Sequence, residues 1–137
     1  MGGAEGETMR AIIKRIRLDR VRHLRFFPDA FERSAKVLGI SIEQVRALSP
    51  AKLSEDPVDL RFLAAILWPF LTWEDPELTP ARVEVSLGEL SAIRLFLLRT
   101  ALASFLKRAI HDVDLRNQAL MERVGRFEKE IQDLTSF

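Results

Sequence analysis

Asp59-Leu60-Arg61-Phe62-Leu63-Ala64-Ala65-Ile66-Leu67-Trp68-Pro69-Phe70-Leu71-Thr72-Trp73 is the stretch on which the fold turns. Its apolar residues keep to no single face: Leu60, Phe62, Leu63, Ile66, Leu67, Trp68, Phe70 and Leu71 surround a helix almost completely. A helix that is apolar all round is enclosed by others, so the run over 58–73 predicts the central member of a helical bundle. Pro69 lies inside it and predicts a kink, because its ring clashes with the preceding turn and it has no amide to donate. The uncharged part, Phe62 to Trp73, has 12 residues, against the roughly 20 that a bilayer demands. No membrane span is expected.

Toward the N-terminus the punctuation is dense. Asp56-Pro57 and Ser49-Pro50 each pair a capping residue with proline at a first helical position, and so predict two helix starts. Asp59 adds negative charge to the turn after Asp56. Ser41-Ile42-Glu43-Gln44 reads as a capping box opening a short helix to Leu48. Before it, Phe31, Ala35 and Leu38 keep helical spacing from Asp29 on, and Gly39 is placed to stop that helix. Further back, Ile12, Lys14, Ile16 and Leu18 alternate with Ile13, Arg15 and Arg17, and a second extended run, Val21 to Phe27, follows Asp19-Arg20. Two strands joined at a charged turn and ended by Pro28 predict a β-hairpin. Residues 1–9 are expected to be a mobile tail, without the basic-then-apolar order of a signal peptide.

Toward the C-terminus, Trp73 to Pro80 reads as a loop, with Thr79-Pro80 opening a helix. Leu90 to Ile110 reads as a long helix whose apolar side is interrupted by Arg94 and Arg99. His111-Asp112 predicts a break. Beyond it Val113, Asn117, Leu120, Val124, Phe127, Ile131 and Leu134 step alternately by four and three, a heptad seam over three heptads. Gly125 weakens that helix by about 1 kcal/mol relative to alanine, so a partner is expected to complete it. The seam either folds back on the bundle or meets another chain. The fold expected is mainly α: a small helical bundle with an N-terminal β-hairpin and a C-terminal heptad-patterned helix. Its parts are a tail over 1–9, hairpin plus bundle over 10–110, and an arm over 111–137.

Composition narrows the function. With 137 residues, one domain is the expectation. A formal charge of +1, from 21 basic and 20 acidic residues, excludes a general polyanion binder. Cysteine is absent, which removes disulfides, thiolate metal sites and cysteine nucleophiles together. His111, Asp112 and Asp114 read as a helix start, where acids offset the dipole, rather than a metal site. Glu74, Asp75 and Glu77 read as solvated loop residues rather than an acid–base pair. No glycine-rich phosphate loop and no Ser-His-Asp set is present. Catalytic, cofactor and metal sites are therefore not expected, and neither is an enzyme.

The basic run has more to say. Arg10, Lys14, Arg15, Arg17, Arg20, Arg22 and Arg25 face a single acid, Asp19, between residues 10 and 25. On a two-stranded ribbon, Arg15, Arg17, Arg20 and Arg22 are the residues a nucleic-acid backbone would meet. An edge ribbon kept from aggregating by its charge accounts for the same residues and is preferred.

The order of motifs carries a resemblance. Leu24-Arg25-Phe26 leads to Val37-Leu38-Gly39-Ile40-Ser41-Ile42-Glu43. Asp59-Leu60-Arg61-Phe62-Leu63-Ala64-Ala65-Ile66-Leu67-Trp68 follows, and then Glu74-Asp75-Pro76-Glu77-Leu78-Thr79. Over about residues 10–105 this resembles the tail assembly chaperones of long-tailed bacteriophages and related gene transfer agents. It departs at Pro69, where the family usually carries alanine or glycine, and in the longer arm from Asp112 on. The resemblance implies a non-catalytic protein of the host cytoplasm. It would bind the helical tape measure protein, help recruit tail tube subunits, and leave before the particle matures. The expected partner contacts are Trp68, Phe70 and Trp73 near the kink, with Trp68 also read as core, and Leu120, Val124, Phe127 and Ile131 on the arm. Self-association through the seam is expected as well. The alternative is a small nucleic-acid-binding or regulatory protein using the basic hairpin.

Overall fold

In the computed structural model the described residues are 13–135, so the expected tail and the first hairpin residues, Arg10 and Ile12, lie outside them. Strand β1 (Ile13–Arg17) pairs antiparallel with β2 (Val21–Arg25), placing Arg15 opposite His23 and Ile16 opposite Arg22. The alternation of a half-buried ribbon follows. Ile16, Leu18, Arg22 and Leu24 are buried, while Arg15 and Arg17 are exposed. No Asn-Gly makes the turn; the Asp19 carboxylate does. It accepts the Arg20 amide at 3.0 Å and grips the Arg22 guanidinium through Nε at 2.7 Å and Nη2 at 2.9 Å.

Helix α1 (Ala30–Leu38) ends as expected at Gly39, whose φ of 69° is the left-handed conformation that glycine adopts without penalty. Helix α2 (Ile42–Ser54) opens on the full capping box, with the Gln44 amide donating to Ser41 Oγ at 3.1 Å and the Ser41 amide to Gln44 Oε1 at 3.0 Å. Ser49-Pro50 does not start a new helix, as the sequence suggests; α2 runs through it. The Ser49 hydroxyl turns back to the Val45 carbonyl, and Pro50 lies on the exposed side of the helix. Asp56-Pro57 opens no helix either. The cap is Asp59, whose carboxylate accepts the Phe62 amide at 3.1 Å, so α3 (Leu60–Leu67) begins three residues later.

Pro69 ends α3 rather than kinking it. The chain tightens into a 3₁₀ turn over Trp68–Phe70 instead of continuing as α-helix to residue 73. A proline at 69 cannot donate to the carbonyl four residues back, that of Ala65, which is wholly buried. The missing donor comes from α1: Ser34 Oγ, itself enclosed, donates to Ala65 O at 2.8 Å. Ser34→Ala is therefore expected to cost about 1–3 kcal/mol, because it leaves a buried carbonyl unmatched. The check is the urea midpoint at unchanged slope; an unshifted midpoint would mean that another donor serves Ala65.

Around α3 the core closes as an enclosed helix requires. Every residue from Phe62 to Leu67 is buried, together with Val83 and Leu87 of α4 (Pro80–Gly88). Phe70 is wholly enclosed, stacked on Phe26 at 6.1 Å and edge-on to Phe105 at 5.1 Å. Helix α4 starts at Thr79, whose hydroxyl accepts the Arg82 amide at 3.2 Å, with Pro80 in its first turn as expected.

Helix α5 (Ala92–Thr135) is 44 residues long and passes through His111-Asp112 without interruption. The expected break is absent because His and Asp disfavour a helix interior by only about 0.7 kcal/mol each, too little to end an established helix. Arg99, set among apolar neighbours, reaches the end of α2: Nε donates to Leu53 O at 2.7 Å and Nη2 to Glu55 O at 2.8 Å. It thereby serves carbonyls that a helix end leaves without partners. The chain divides into two compact units at Phe105/Leu106. In the second, helical to Thr135, the seam residues Leu120, Val124, Phe127, Ile131 and Leu134 are exposed.

Candidate docking groove

The loop after the 3₁₀ turn closes on the hairpin. Trp73 Nε1 donates to the His23 carbonyl at 2.9 Å, and the His23 amide donates to Glu74 Oε1 at 2.8 Å. His23 Nδ1 lies 3.0 Å from Glu74 Oε2, and Arg22 Nη1 lies 3.4 Å from Asp75 Oδ2. His23 thus has both backbone groups met from the loop, which occupies the outer edge of β2 at its middle residue. Glu74 and Glu77 are exposed loop residues, as the sequence suggests, and Asp75 is half-buried; Glu74 and Asp75 in addition hold β2. They bind the strand, because a basic ribbon with one internal acid draws its remaining counter-charges from elsewhere in the chain.

These contacts shift acidities. The hydrogen bond from Arg22 is the main cause holding the Asp19 carboxyl below its ordinary 3.8, against the opposing effect of burial. Burial pushes Glu74 upward, but hydrogen bonds from the His23 amide and ring, with the charges of His23 and Arg20, bring it below its ordinary 4.5. A carboxyl whose acidity is greater in the folded state contributes fully above its unfolded pKa, and that contribution is lost as pH falls through the folded value. Stability is therefore expected to decline below about pH 4, where carboxylates ordinarily begin to protonate. Asp19→Asn should flatten part of that acid limb in thermal melts taken from pH 5 to pH 2; an unchanged limb would show that Asp19 is no more acidic than in the unfolded chain.

The arginines expected to meet nucleic acid divide accordingly. Arg22 is buried and held by Asp19 and Asp75, which takes it out of any phosphate contact. Arg20 shares Asp75 at 3.8 Å. Arg15 and Arg17 remain exposed on β1, with no acidic partner among the described residues. The aromatic residues near Pro69 are also employed internally. Phe70 is core, with no surface to offer a partner, which corrects its expected role. Half-buried Trp68 donates its indole N–H to Leu78 O at 2.6 Å and lies beneath the Arg33 guanidinium at 4.6 Å. Trp73 is partly exposed, but its N–H is committed to β2 and its ring lies 5.4 Å from the Arg25 guanidinium.

What stays open is a groove between β1 and the first turns of α5. Arg15, Ile16 and Arg17 form one wall and Arg94, Leu97, Leu98 and Ala101 the other, around about 340 Å³. On the same part of α5, Ile93 is 74% and Phe96 62% exposed, spaced with Leu97 as neighbours on one helix face. The sequence reading missed this stripe, although its spacing is visible once the helix start at Ser91 is known; the Arg94 amide donates to Ser91 Oγ at 3.2 Å. The groove's charged side chains are all arginines, which present fixed forks of N–H donors. Apolar floor and cationic rim suit an amphipathic segment bearing carboxylates. Among the described residues no three His, Cys, Asp or Glu side chains gather as a metal site, and no helix is long and apolar enough to cross a membrane.

No protein family, curated protein or solved structure matches the chain.

Proposed function

We propose that the protein is a non-catalytic factor that binds a partner helix, in the manner of a phage tail assembly chaperone, and that the client docks in the groove between β1 and α5. The observation that carries this reading is the apolar stripe Ile93, Phe96 and Leu97, left exposed beside Arg15, Arg17 and Arg94. Exposed apolar stripes rimmed by charge mark interaction surfaces, and a helix with carboxylates along its apolar face complements this one. The motif order supports the class of client. By that resemblance it is the tape measure protein, long, helical and prone to aggregate, with tail tube subunits as later partners. The host cytoplasm would be the place of action.

The test is recovery of partners with the tagged full-length chain from its own lysate, for wild type and for Phe96→Ser with Leu97→Ser. Wild type is expected to retain a long helical protein that the double variant loses at least tenfold, while both chains melt alike. Equal recovery by the variant would remove the groove from the function. Recovery of nucleic acid that leaves at high salt and is lost in Arg15→Glu with Arg17→Glu would favour the alternative reading instead.

A further inference from the structure

The seam on the arm has a composition that names its partner. Residues 113–134 lie within one unbroken helix, so the steps of four and three fix a heptad frame. Asn117, Val124 and Ile131 occupy its a positions, and Val113, Leu120, Phe127 and Leu134 its d positions. Leu120 is 56% and Leu134 74% exposed, and Val124, Phe127 and Ile131 are exposed with them, while Val113 is half-buried. β-branched residues at a, with leucine at alternate d positions, favour two parallel strands over three or four. A single polar a residue, here Asn117, is the device that fixes register and strand number.

The flanking charges agree. In a parallel, in-register pair each g residue meets the e residue of the following heptad on the other strand. Arg123 then meets Glu128 of the second copy, an attractive pair made twice by symmetry. Arg116 meets Met121 and Glu130 meets Thr135, so none of these three pairings sets like charges together. The antiparallel alternative is disfavoured by Asn117, since every other a and d residue from 113 to 134 is apolar. Reversing one strand would bury its amide against valine, isoleucine, leucine or phenylalanine, with nothing to bond. Gly125 falls at b, on the outside, with nothing within 4 Å of where a side chain would stand.

We propose that two copies of the chain pair through residues 113–134 as a parallel, in-register, two-stranded coiled coil, in which Asn117 faces Asn117 of the second copy. This is independent of the groove and of what docks there. Joining two copies raises the effective concentration of a second groove for any client that repeats its apolar stripe.

The experiment uses the full chain and its lack of cysteine. Sedimentation equilibrium is expected to give twice the 15.7 kDa chain mass. Leu134→Cys introduces a single thiol at a d position, and oxidised glutathione should convert that variant to a linked dimer on a non-reducing gel. Val124→Asp with Phe127→Asp, both exposed in the single chain, should sediment as a monomer while retaining the thermal transition of the bundle. Asn117→Val should release the restriction to two strands and raise the mass above dimer. A monomeric wild type, a trimer or tetramer mass, or a dimer that Leu134→Cys fails to link would each overturn the proposal. A variant at Asn117 that stays strictly dimeric would remove that residue's role. Loss of dimer with client recovery intact, or the reverse, separates this proposal from the groove.

Discussion

Phe70→Ala is expected to lower unfolding stability by about 3–5 kcal/mol, the cost of emptying a buried aromatic site. A domain of this size has roughly 5–15 kcal/mol in all, so the variant should sit near the edge of folding at 37 °C. The basis is position: Phe70 is enclosed between Phe26 and Phe105, and it lies in the short turn that Pro69 imposes on the central helix. Phe96→Ala is the matched control. Its ring is exposed on α5, so stability should move by no more than about 0.5 kcal/mol. Denaturant midpoints for the pair distinguish the roles directly. A Phe70→Ala chain as stable as wild type but poor at holding its client would return Phe70 to the surface.

Arg22→Met should have the next largest effect. The guanidinium is buried at the join between hairpin and loop, with Asp19 and Asp75 as its partners. Removing one member of a buried pair strands the others, which in a closed interior is strongly destabilising. Here Asp19 and Asp75 are partly exposed and can turn to solvent, so about 1–3 kcal/mol is expected instead. The acid limb supplies a second readout. Without the Arg22 hydrogen bond, Asp19 should return toward its ordinary acidity, and the decline in stability below pH 4 should soften. A double-mutant cycle of Arg22→Met with Asp75→Asn should show coupling; strict additivity would mean that Asp75 contributes nothing to the join.

Legibility in the sequence followed the distance over which each interaction acts. The capping box at Ser41 and Gln44, the stop at Gly39 and the start at Thr79-Pro80 are side chains or dihedrals acting within four residues, and each stands where the motif places it. The same local rules misplaced helix starts at Ser49-Pro50 and Asp56-Pro57 and a break at His111-Asp112. A capping motif licenses a helix end without requiring one, and helical continuity on either side prevailed over weak local preference. The candidate site was half visible. Arg15 and Arg17 stand out in a basic run, but their availability, and the loss of Arg22 and Phe70 as contacts, depend on which neighbours enclose them.

Periodicity, caps and apolar content determined by themselves that this chain is a hairpin followed by helices, that the stretch ending at Pro69 is its enclosed centre, and that the last helix carries a heptad seam. Tertiary structure alone decided that Ser34 supplies the donor Pro69 lacks, that Trp73 and Glu74 bind the backbone of His23 in β2, and that Arg99 closes the end of α2. These contacts join residues 31, 50, 51 and 46 positions apart. At such separations no propensity or spacing rule couples two side chains; they meet only because burial of the core has already fixed the backbones that carry them.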